Sequence, residues 1–406
     1  MTSMPRHKVI AIFFAFAFAY FLSALIRAIT ATIAPTLVAE FQLQSADLGL
    51  LAGGYFLGFA AMQLPLGKWL DSHGPRKVET LFLGVALAGC LAFSQADGFT
   101  GLLFARILCG VGVCACLMAA LTGYRRWFAP EQLMRANSWM LMVGAFGMVA
   151  STLPVQWLLP AIGWRGIFLA LAGLMLISML LITWQIPAWS PPSPVAGGPS
   201  PASGYGEVWR STYFRSLAPL GFVNYGGLVA MQTLWAGPWM TKVAGYTPAQ
   251  AASGLFWLNV AMLLAYWLWG LANPWLARKG HTAEKLIRWW MPLSFVMLAI
   301  LIIAGSAISI WAAVIFALYC VSSTVAALAQ PAVGMAFPAA LAGRALSAYN
   351  LVIFAGVFAV QWGIGLLLDV LKSLGLTEVL AYQATFGVFG VASVVAYLVA
   401  CRAKTP

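Results

Sequence analysis

The chain has 406 residues, of which 62% are hydrophobic and only 8% are charged, and its mean hydropathy is +0.90. A water-soluble globular protein cannot bury so large an apolar fraction, so the composition excludes that class and predicts a polytopic membrane protein. The formal net charge is +12, but the cations are spread over many short loops. They form no contiguous basic face, which argues against binding of nucleic acid.

Twelve apolar stretches follow one another along the chain. Each has the length of about 20 residues that an α-helix needs to cross the hydrocarbon core, and each is bounded by charges or by Pro/Gly turns. A transmembrane β-barrel would instead show alternating segments of about ten residues. The sequence therefore predicts an all-α membrane protein with twelve transmembrane helices. The predicted spans cover residues 9–36, 45–66, 77–96, 101–123, 136–159, 165–186, 213–240, 248–275, 286–306, 309–335, 345–369 and 378–401.

A short polar loop, residues 67–77, separates the second and third predicted spans. Its sequence is Gly-Lys-Trp-Leu-Asp-Ser-His-Gly-Pro-Arg-Lys. Gly67 and Gly74 predict close packing and a tight turn, and Asp71 lies at a helix end with Arg76 and Lys77 a few positions on. We expect the Asp71 carboxylate to dock against the first turn of a neighbouring helix and to be released when the protein changes conformation.

The spacing Gly-x-x-x-Asp-x-x-Gly-x-Arg-Lys resembles the loop between the second and third helices of the major facilitator superfamily. In the fourth span, Arg106, Gly110 and Gly112 form an Arg-x-x-x-Gly-x-Gly pattern that is similar to the one found there in many members. The first helix and residues 55–71 and 234–239 also resemble uptake carriers for amino acids, short peptides or organic acids. The resemblance implies two six-helix bundles that rock around a substrate site near the bilayer midplane. The Gly-Pro pair that marks the fifth helix of drug/proton antiporters is absent, which counts against that subfamily.

Two halves follow from this organisation. Residues 1–186 are predicted to form the N-terminal six-helix bundle and residues 211–406 the C-terminal one. Residues 187–210, rich in Pro, Gly and Ser, predict a flexible cytoplasmic linker. With a cytoplasmic N-terminus, the cytoplasmic loops carry 17 Lys and Arg residues and the opposite loops carry 3. The positive-inside rule then predicts that both termini are in the cytoplasm, and the resemblance implies a bacterial inner membrane.

Two ionisable residues lie well inside predicted spans, Arg27 in the first and Arg106 in the fourth. A charge within the bilayer is costly unless it is paired or faces water, so each is a functional candidate. Arg27 shares one helix face with Tyr20 and Ser23. Two guanidinium groups can hold a carboxylate by bidentate hydrogen bonds. In the alternative interpretation, Arg106 ties helices together by bonding backbone carbonyls.

The second half contributes neutral polar and aromatic side chains. These groups can orient a ligand by hydrogen bonds or can hold helices together, and both interpretations stay open. The seventh span is also expected to kink at Pro238, as a candidate outer gate. The predicted binding residues of this half are Asn224, Gln232, Trp235, Tyr319, Tyr349, Asn350 and Gln361.

All ten acidic residues are assigned to span ends or loops, so no carboxylate inside the membrane is expected to balance the arginines. The counter-charge is then the substrate. The sequence predicts a monomeric carrier of a small anionic or zwitterionic organic solute, an organic acid, amino acid or short peptide. Three modes of transport stay open: coupling to a proton through Asp71, through Asp369 or with the substrate itself, exchange against a counter-anion, and uniport. No metal or cofactor is expected.

Three alternatives remain. The aromatic content of 14% would suit an exporter of amphiphilic compounds or drugs. A membrane-embedded enzyme should show a clustered acid/base or metal constellation within a span, and the sequence has none. A non-transporting sensor would need an output domain, for which no loop is large enough.

Overall fold

The computed structural model describes residues 5–189 and 205–402. This part of the chain is almost entirely helical and contains no β-strand. Eight of its helical stretches are long and apolar enough to cross a bilayer. Large apolar side chains such as Leu81 (70% exposed) and Ile303 (82% exposed) lie on the surface, as expected where a protein contacts lipid. The prediction of an all-α membrane protein is confirmed.

The helices of the first half overlap the predicted spans, but the third begins at Gln63 and the seventh at Leu153, well before the predicted starts at residues 77 and 165. Two of them contain a break, at Gly74 (φ 77°) in the third helix and at Gly163 (φ 64°) in the seventh. A positive φ carries no steric cost for glycine. The third and sixth predicted spans begin shortly after these two residues and therefore match the parts of the helices that follow the breaks. These helices are α1 (Arg6–Phe41), α2 (Ser45–Ala61), α3 (Gln63–Ser94), α4 (Phe99–Val113), α5 (Cys116–Trp127), α6 (Pro130–Ala150) and α7 (Leu153–Gln185).

The second half contains longer helices and several irregular turns. Wide π turns occupy Leu220–Tyr225 and Met231–Trp235, and 3-10 turns occupy Gly305–Trp311 and Thr324–Leu328. The two π turns lie inside the seventh predicted span and Thr324–Leu328 lies inside the tenth, whereas Gly305–Trp311 covers the junction between the ninth and tenth predicted spans. The α-helices are α8 (Tyr205–Arg210), α9 (Thr212–Pro219), α10 (Gly226–Ala230), α11 (Ala236–Lys242), α12 (Pro248–Arg278), α13 (Ala283–Ala304), α14 (Ala312–Ser323), α15 (Ala329–Met335), α16 (Ala339–Ser373) and α17 (Glu378–Ala400).

In the seventh predicted span the backbone leaves α-helical geometry before Pro238 and is α-helical at Pro238 itself. Helix α11 continues through Pro238, whereas the π turn Met231–Trp235 comes immediately before α11. Proline has no N–H and its ring crowds the carbonyl four residues earlier. A wide turn relieves that crowding without breaking the helix. The predicted kink at Pro238 is therefore wrong in position, and the helix widens one turn earlier.

The chain forms two compact units. The first unit comprises residues 1–29 and 54–196, and the second comprises residues 30–53 and 197–406. In the first unit α3 packs against α4 and α7, where the rings of Phe93 and Phe168 stack with centroids 4.0 Å apart. In the second unit Trp235, Trp239 and Phe316 belong to one buried apolar cluster.

The predicted linker, residues 187–210, lies mostly outside the described residues. Its described ends are residues 187–189 and helix α8, in which Val208 is buried. The division into halves at this linker stays a prediction.

Candidate functional site

Side chains from three helices of the first unit meet around Tyr55 of α2. The Tyr55 hydroxyl donates a hydrogen bond to the backbone carbonyl of Ser23 (3.3 Å) and interacts with the side chain of Arg27 on α1. The guanidinium of Arg106 on α4 lies over the Tyr55 ring, 5.1 Å from its centroid. The guanidinium of Arg27 lies 5.8 Å from the centroid of the Phe59 ring. The two predicted arginines therefore contact the same tyrosine.

Close packing of α4 against α2 puts Arg106 at this tyrosine. A Cβ atom on Gly110 would overlap the backbone carbonyl of Tyr55, so only glycine allows the two helices to approach this closely. Arg106 comes four residues before Gly110 and lies on the same face of α4. The Arg-x-x-x-Gly part of the motif thus positions the guanidinium.

Arg106 is completely buried, and only part of its guanidinium is satisfied. Nη1 donates to the backbone carbonyl of Ile26 (2.9 Å), whereas Nε and Nη2 have no hydrogen-bond partner among the described residues. Nε and Nη2 form one edge of the planar fork, which can bind a carboxylate through two parallel hydrogen bonds. The bond to Ile26 agrees with the helix-tying interpretation. Both interpretations can hold together because they use different nitrogen atoms.

The other two predicted residues of α1 make packing contacts. The ring of Tyr20 is buried against α6, where a Cβ on Gly144 would come into conflict with it. The Ser23 hydroxyl donates to the backbone carbonyl of Val113 (3.5 Å). These contacts position the helix that carries Arg27, and direct roles for Tyr20 and Ser23 in substrate binding stay predictions.

Two pairs of amide side chains lie in the second unit, where Asn259 is buried and the other three members are half-buried. Gln232 donates through Nε2 to Oδ1 of Asn259 (2.7 Å), and Gln330 donates through Nε2 to Oδ1 of Asn350 (2.6 Å). Each primary amide has more donor and acceptor sites than one such bond uses. The pairs can therefore bind a polar ligand without losing their mutual hydrogen bond.

The remaining predicted residues of the second unit are buried, and most join two helices. The Trp235 indole donates to the backbone carbonyl of Gln361 (3.1 Å), and the Tyr349 hydroxyl donates to a backbone carbonyl of α9 (3.1 Å). Asn224 donates to a backbone carbonyl of α17 (3.2 Å), and Tyr319 is buried in α14. The side-chain oxygens of Asn224 and Gln361 lack a hydrogen-bond partner among the described residues. Hydrogen bonds between helices thus account for the donor groups of Trp235, Tyr349 and Asn224. Contact of these residues with substrate stays a prediction.

The predicted gating loop forms the break in α3. A Cβ on Gly74 would overlap the side chain of Trp189, and the Trp189 indole donates to the backbone carbonyl of Asp71 (3.2 Å). The positive φ and this contact both require glycine at position 74. The Asp71 side chain is exposed, and among the described residues it accepts no hydrogen bond, so its predicted docking is absent from this conformation.

The rest of the loop is more open than predicted. No described atom lies within 4 Å of a Cβ built on Gly67. The prediction of close packing is therefore confirmed at Gly74 and wrong at Gly67. Arg76 is half-buried and Lys77 is exposed, and their role in gating stays a prediction.

A carboxylate caps the start of a helix in the second unit. Asp369 of α16 accepts hydrogen bonds from the backbone N–H groups of Ser45 (3.1 Å) and of the next residue (2.6 Å), at the start of α2. A helix N-terminus has unsatisfied N–H groups and a partial positive charge, which favour a carboxylate there. Lys372 donates to the Ser45 hydroxyl (3.4 Å) and pairs with Glu378 (3.3 Å). These groups also line a cavity of about 370 Å³.

Three buried side chains were not predicted from the sequence. Tyr55 and Asn259 lie in long apolar spans, where nothing in their spacing distinguishes them from other polar or aromatic residues. Glu79 is near the start of a predicted span, but it is completely buried in α3. The expectation that no buried carboxylate is available is therefore wrong. Its burial depends on packing of α3 against α5, which hydropathy cannot reveal.

The family model of the Major Facilitator Superfamily matches residues 16–360 of the chain. A solved D-xylose–proton symporter has a similar fold, with a TM-score of 0.77 and 14% identity over 98% of this chain and 100% of that chain. A bacterial homologue of the human lysosomal transporter Spinster superposes with a TM-score of 0.75 and 16% identity over 98% of both chains. At such low identity the likeness extends to the fold alone.

Curated relatives match over shorter segments. The nitrate/nitrite transporter NrtP of Picosynechococcus sp. is 31% identical over 138 residues, which are 33% of this chain and 25% of that protein. The probable L-galactonate transporter of Escherichia coli is 26% identical over 155 residues (37% and 33%). The 4-hydroxybenzoate transporter PcaK of Acinetobacter baylyi is 26% identical over 156 residues (38% and 34%). These segments span about a third or less of the relatives' own length. The family match over most of the chain, together with the fold, means that this protein belongs to the major facilitator superfamily.

Proposed function

We propose that this protein is a secondary or facilitative carrier of a small anionic or zwitterionic organic solute, such as an organic acid, an amino acid or a short peptide. The solute crosses the membrane by alternating access of two six-helix bundles, residues 1–186 and 211–406. The observation that carries the proposal is the buried guanidinium of Arg106, whose Nε and Nη2 lack a described partner. Uncompensated buried charge is costly, and an anionic ligand supplies both the counter-charge and the acceptors.

The positions of Arg27 and Tyr55 support the same ligand chemistry. A second guanidinium in contact with Tyr55 adds positive charge beside the Arg106 site, and the aromatic rings offer an apolar surface for the rest of the solute. The names of three relatives also give anions as substrates: nitrate and nitrite, 4-hydroxybenzoate and, for the probable transporter of Escherichia coli, L-galactonate. An organic anion is therefore the substrate class that we favour.

The remaining parts of the proposal concern location and assembly. We place the protein in a bacterial inner membrane as a monomer with both termini in the cytoplasm. The excess of cations in the loops on that side supports this orientation. The runner-up function is efflux of amphiphilic compounds, which the aromatic content of 14% supports.

A thermal-shift screen of the purified protein tests the proposal. A ligand that binds only the folded state raises the melting temperature by mass action. We expect stabilisation by one or more of nitrate, L-galactonate, 4-hydroxybenzoate, L-amino acids and dipeptides, and none by lipophilic cations. Stabilisation by lipophilic cations alone would replace the proposal with the efflux function.

Variants of three arginines provide the control. Arg27→Gln and Arg106→Gln should each abolish the shift, because a hydrogen bond to a charged group contributes about 1.5–3 kcal/mol. Arg165→Gln should keep the thermal shift, because the partners of Arg165 lie outside the proposed site. They are Asp97 (3.8 Å) and the backbone carbonyl of Ala96 (3.1 Å). Equal loss in all three variants would point to general instability and would count against a specific anion site.

A further inference from the structure

Glu79 is a carboxyl group that the proposed anion site does not use. It lies in α3 just beyond the break at Gly74, its side chain is completely buried, and neither Oε1 nor Oε2 has a hydrogen-bond partner among the described residues. Two half-buried carboxylates in the described chain are compensated, Asp369 by two backbone N–H groups and Glu378 by Lys372, and the Asp71 and Glu207 side chains are exposed. Glu79 therefore stands in an unusual environment for an acidic side chain.

The groups around Glu79 are neutral. The thiol of Cys116 and the hydroxyl of Tyr124, both on α5, interact with it. That hydroxyl donates to the backbone carbonyl of Phe13 (3.5 Å). The Cys116 thiol in turn lies within electrostatic reach of Arg27. Glu79 and the proposed anion site are thus linked through one side chain.

The cations on the helices packed around α3 have other contacts. Helices α4, α5 and α7 pack against α3, and they carry Arg106, Arg125, Arg126 and Arg165. Arg106 donates to a backbone carbonyl of α1, Arg126 lies over an indole ring (5.9 Å), and Arg165 pairs with an aspartate. Arg125 is exposed. No ion pair of Glu79 exists among the described residues.

Energetics decide which form of the carboxyl group fits this environment. Moving an ionised carboxylate out of water costs several kcal/mol unless a cation or hydrogen-bond donors compensate it. The neutral acid avoids this cost and can donate its own proton to a neighbour. In this conformation Glu79 is therefore compatible with a bound proton and poorly compatible with a negative charge.

We propose that Glu79 is the proton-binding site of the transport cycle. The carboxylate binds a proton to form the neutral acid when the surrounding helices close, and it releases that proton when their movement admits water. A monoanion that crosses together with one proton moves no net charge, so this site would make the carrier an electroneutral proton/anion symporter. The coupling role rests on the proposed function, whereas proton binding at Glu79 does not.

Infrared spectroscopy of the purified full-length protein in lipid tests proton binding without any transported solute. A buried carboxylic acid has a carbonyl stretch separate from the amide band. We expect the wild type to show such a band at neutral pH and Glu79→Gln to lose it. Glu207→Gln, which changes an exposed carboxylate of α8, should keep the band. A spectrum of Glu79→Gln identical to that of the wild type would overturn the proposal.

Transport in proteoliposomes tests the coupling role with nitrate, L-galactonate and 4-hydroxybenzoate as probes. Glu79→Gln should lose uptake driven by a pH gradient and should keep exchange of internal for external anion. Glu79→Asp, which retains an acid, should keep part of the gradient-driven uptake. Undiminished gradient-driven uptake by Glu79→Gln would overturn the coupling role. If the wild type moves neither these probes nor any L-amino acid or dipeptide of the thermal-shift screen, the proposed function fails, and the infrared result alone decides whether Glu79 binds a proton.

Discussion

The carboxylate of Asp369 at the start of α2 gives a prediction whose size can be worked out. It accepts two backbone hydrogen bonds, from Ser45 (3.1 Å) and from the following residue (2.6 Å). In Asp369→Asn the side chain keeps one acceptor oxygen. One backbone N–H group therefore loses its acceptor, and the other donates to a neutral oxygen instead of a charged one. The amide NH₂ group also faces the N–H groups at the start of the helix, where no acceptor is available to it.

The expected loss is moderate because the site is half-buried. Hydrogen bonds to charged groups contribute about 1.5–3 kcal/mol and neutral ones about 0.5–1.5 kcal/mol. Partial exposure reduces the electrostatic part. We expect the free energy of unfolding to fall by about 1–3 kcal/mol.

Thermal unfolding followed with a thiol-reactive dye measures this loss, because five of the six cysteines are buried in the folded chain. Glu378→Gln is the matched control. It breaks the ion pair between Lys372 and Glu378, whose side chains are 35% and 40% exposed, and such a pair contributes at most about 1 kcal/mol. A melting temperature of Asp369→Asn equal to or above that of Glu378→Gln would refute the capping argument.

Three further predictions concern other parts of the chain. Gly74→Ala should destabilise the protein by about 1–3 kcal/mol, because φ 77° with ψ 163° is a region that almost only glycine adopts, and overlap with Trp189 adds to the loss. Gly67→Ala should leave the melting temperature unchanged or raise it, because alanine favours a helix over glycine by about 0.5–1 kcal/mol. Similar melting temperatures for the two variants would contradict the assignment of the break. Tyr55→Phe should weaken carboxylate binding in a titration by about 5–10-fold, because Arg27 loses the hydroxyl that it contacts, and unchanged affinity would remove Tyr55 from the site. In membrane vesicles an impermeant maleimide should label the half-buried Cys401 from the cytoplasmic side, and labelling from the opposite side alone would invert the proposed topology.

The helices were predictable because a helix that crosses the bilayer must consist mainly of apolar residues. An apolar run of about 20 residues is needed to cross the bilayer, and the predicted bounds of the eighth and twelfth spans, residues 248–275 and 378–401, differ by few residues from α12 and α17. Glycine and proline were harder to place. Gly74 forms the predicted turn, but Pro238 stays within α11 and the wide turn precedes it, because the chain relieves the proline upstream.

The candidate site was predictable only where charge is rare. Arg27 and Arg106 stand out in apolar spans, and the structure brings both to Tyr55. Tyr55 itself gave no signal, because aromatic side chains are common in membrane helices. Glu79 was overlooked for another reason: its position near a span end indicated exposure, whereas contact of α3 with α5 buries it.

The central claim is that Arg27 and Arg106 bind an anionic solute, and saturation kinetics of uptake into proteoliposomes test it most directly. The probe is the carboxylate that gives the largest thermal shift, and the proteins are the wild type, Arg27→Gln and the control Arg165→Gln. We expect Arg27→Gln to lose affinity by about 10–100-fold, as the loss of charged hydrogen bonds predicts, while Arg165→Gln matches the wild type. If Arg27→Gln carries the solute at the wild-type rate with unchanged affinity, the arginine-centred anion site is contradicted.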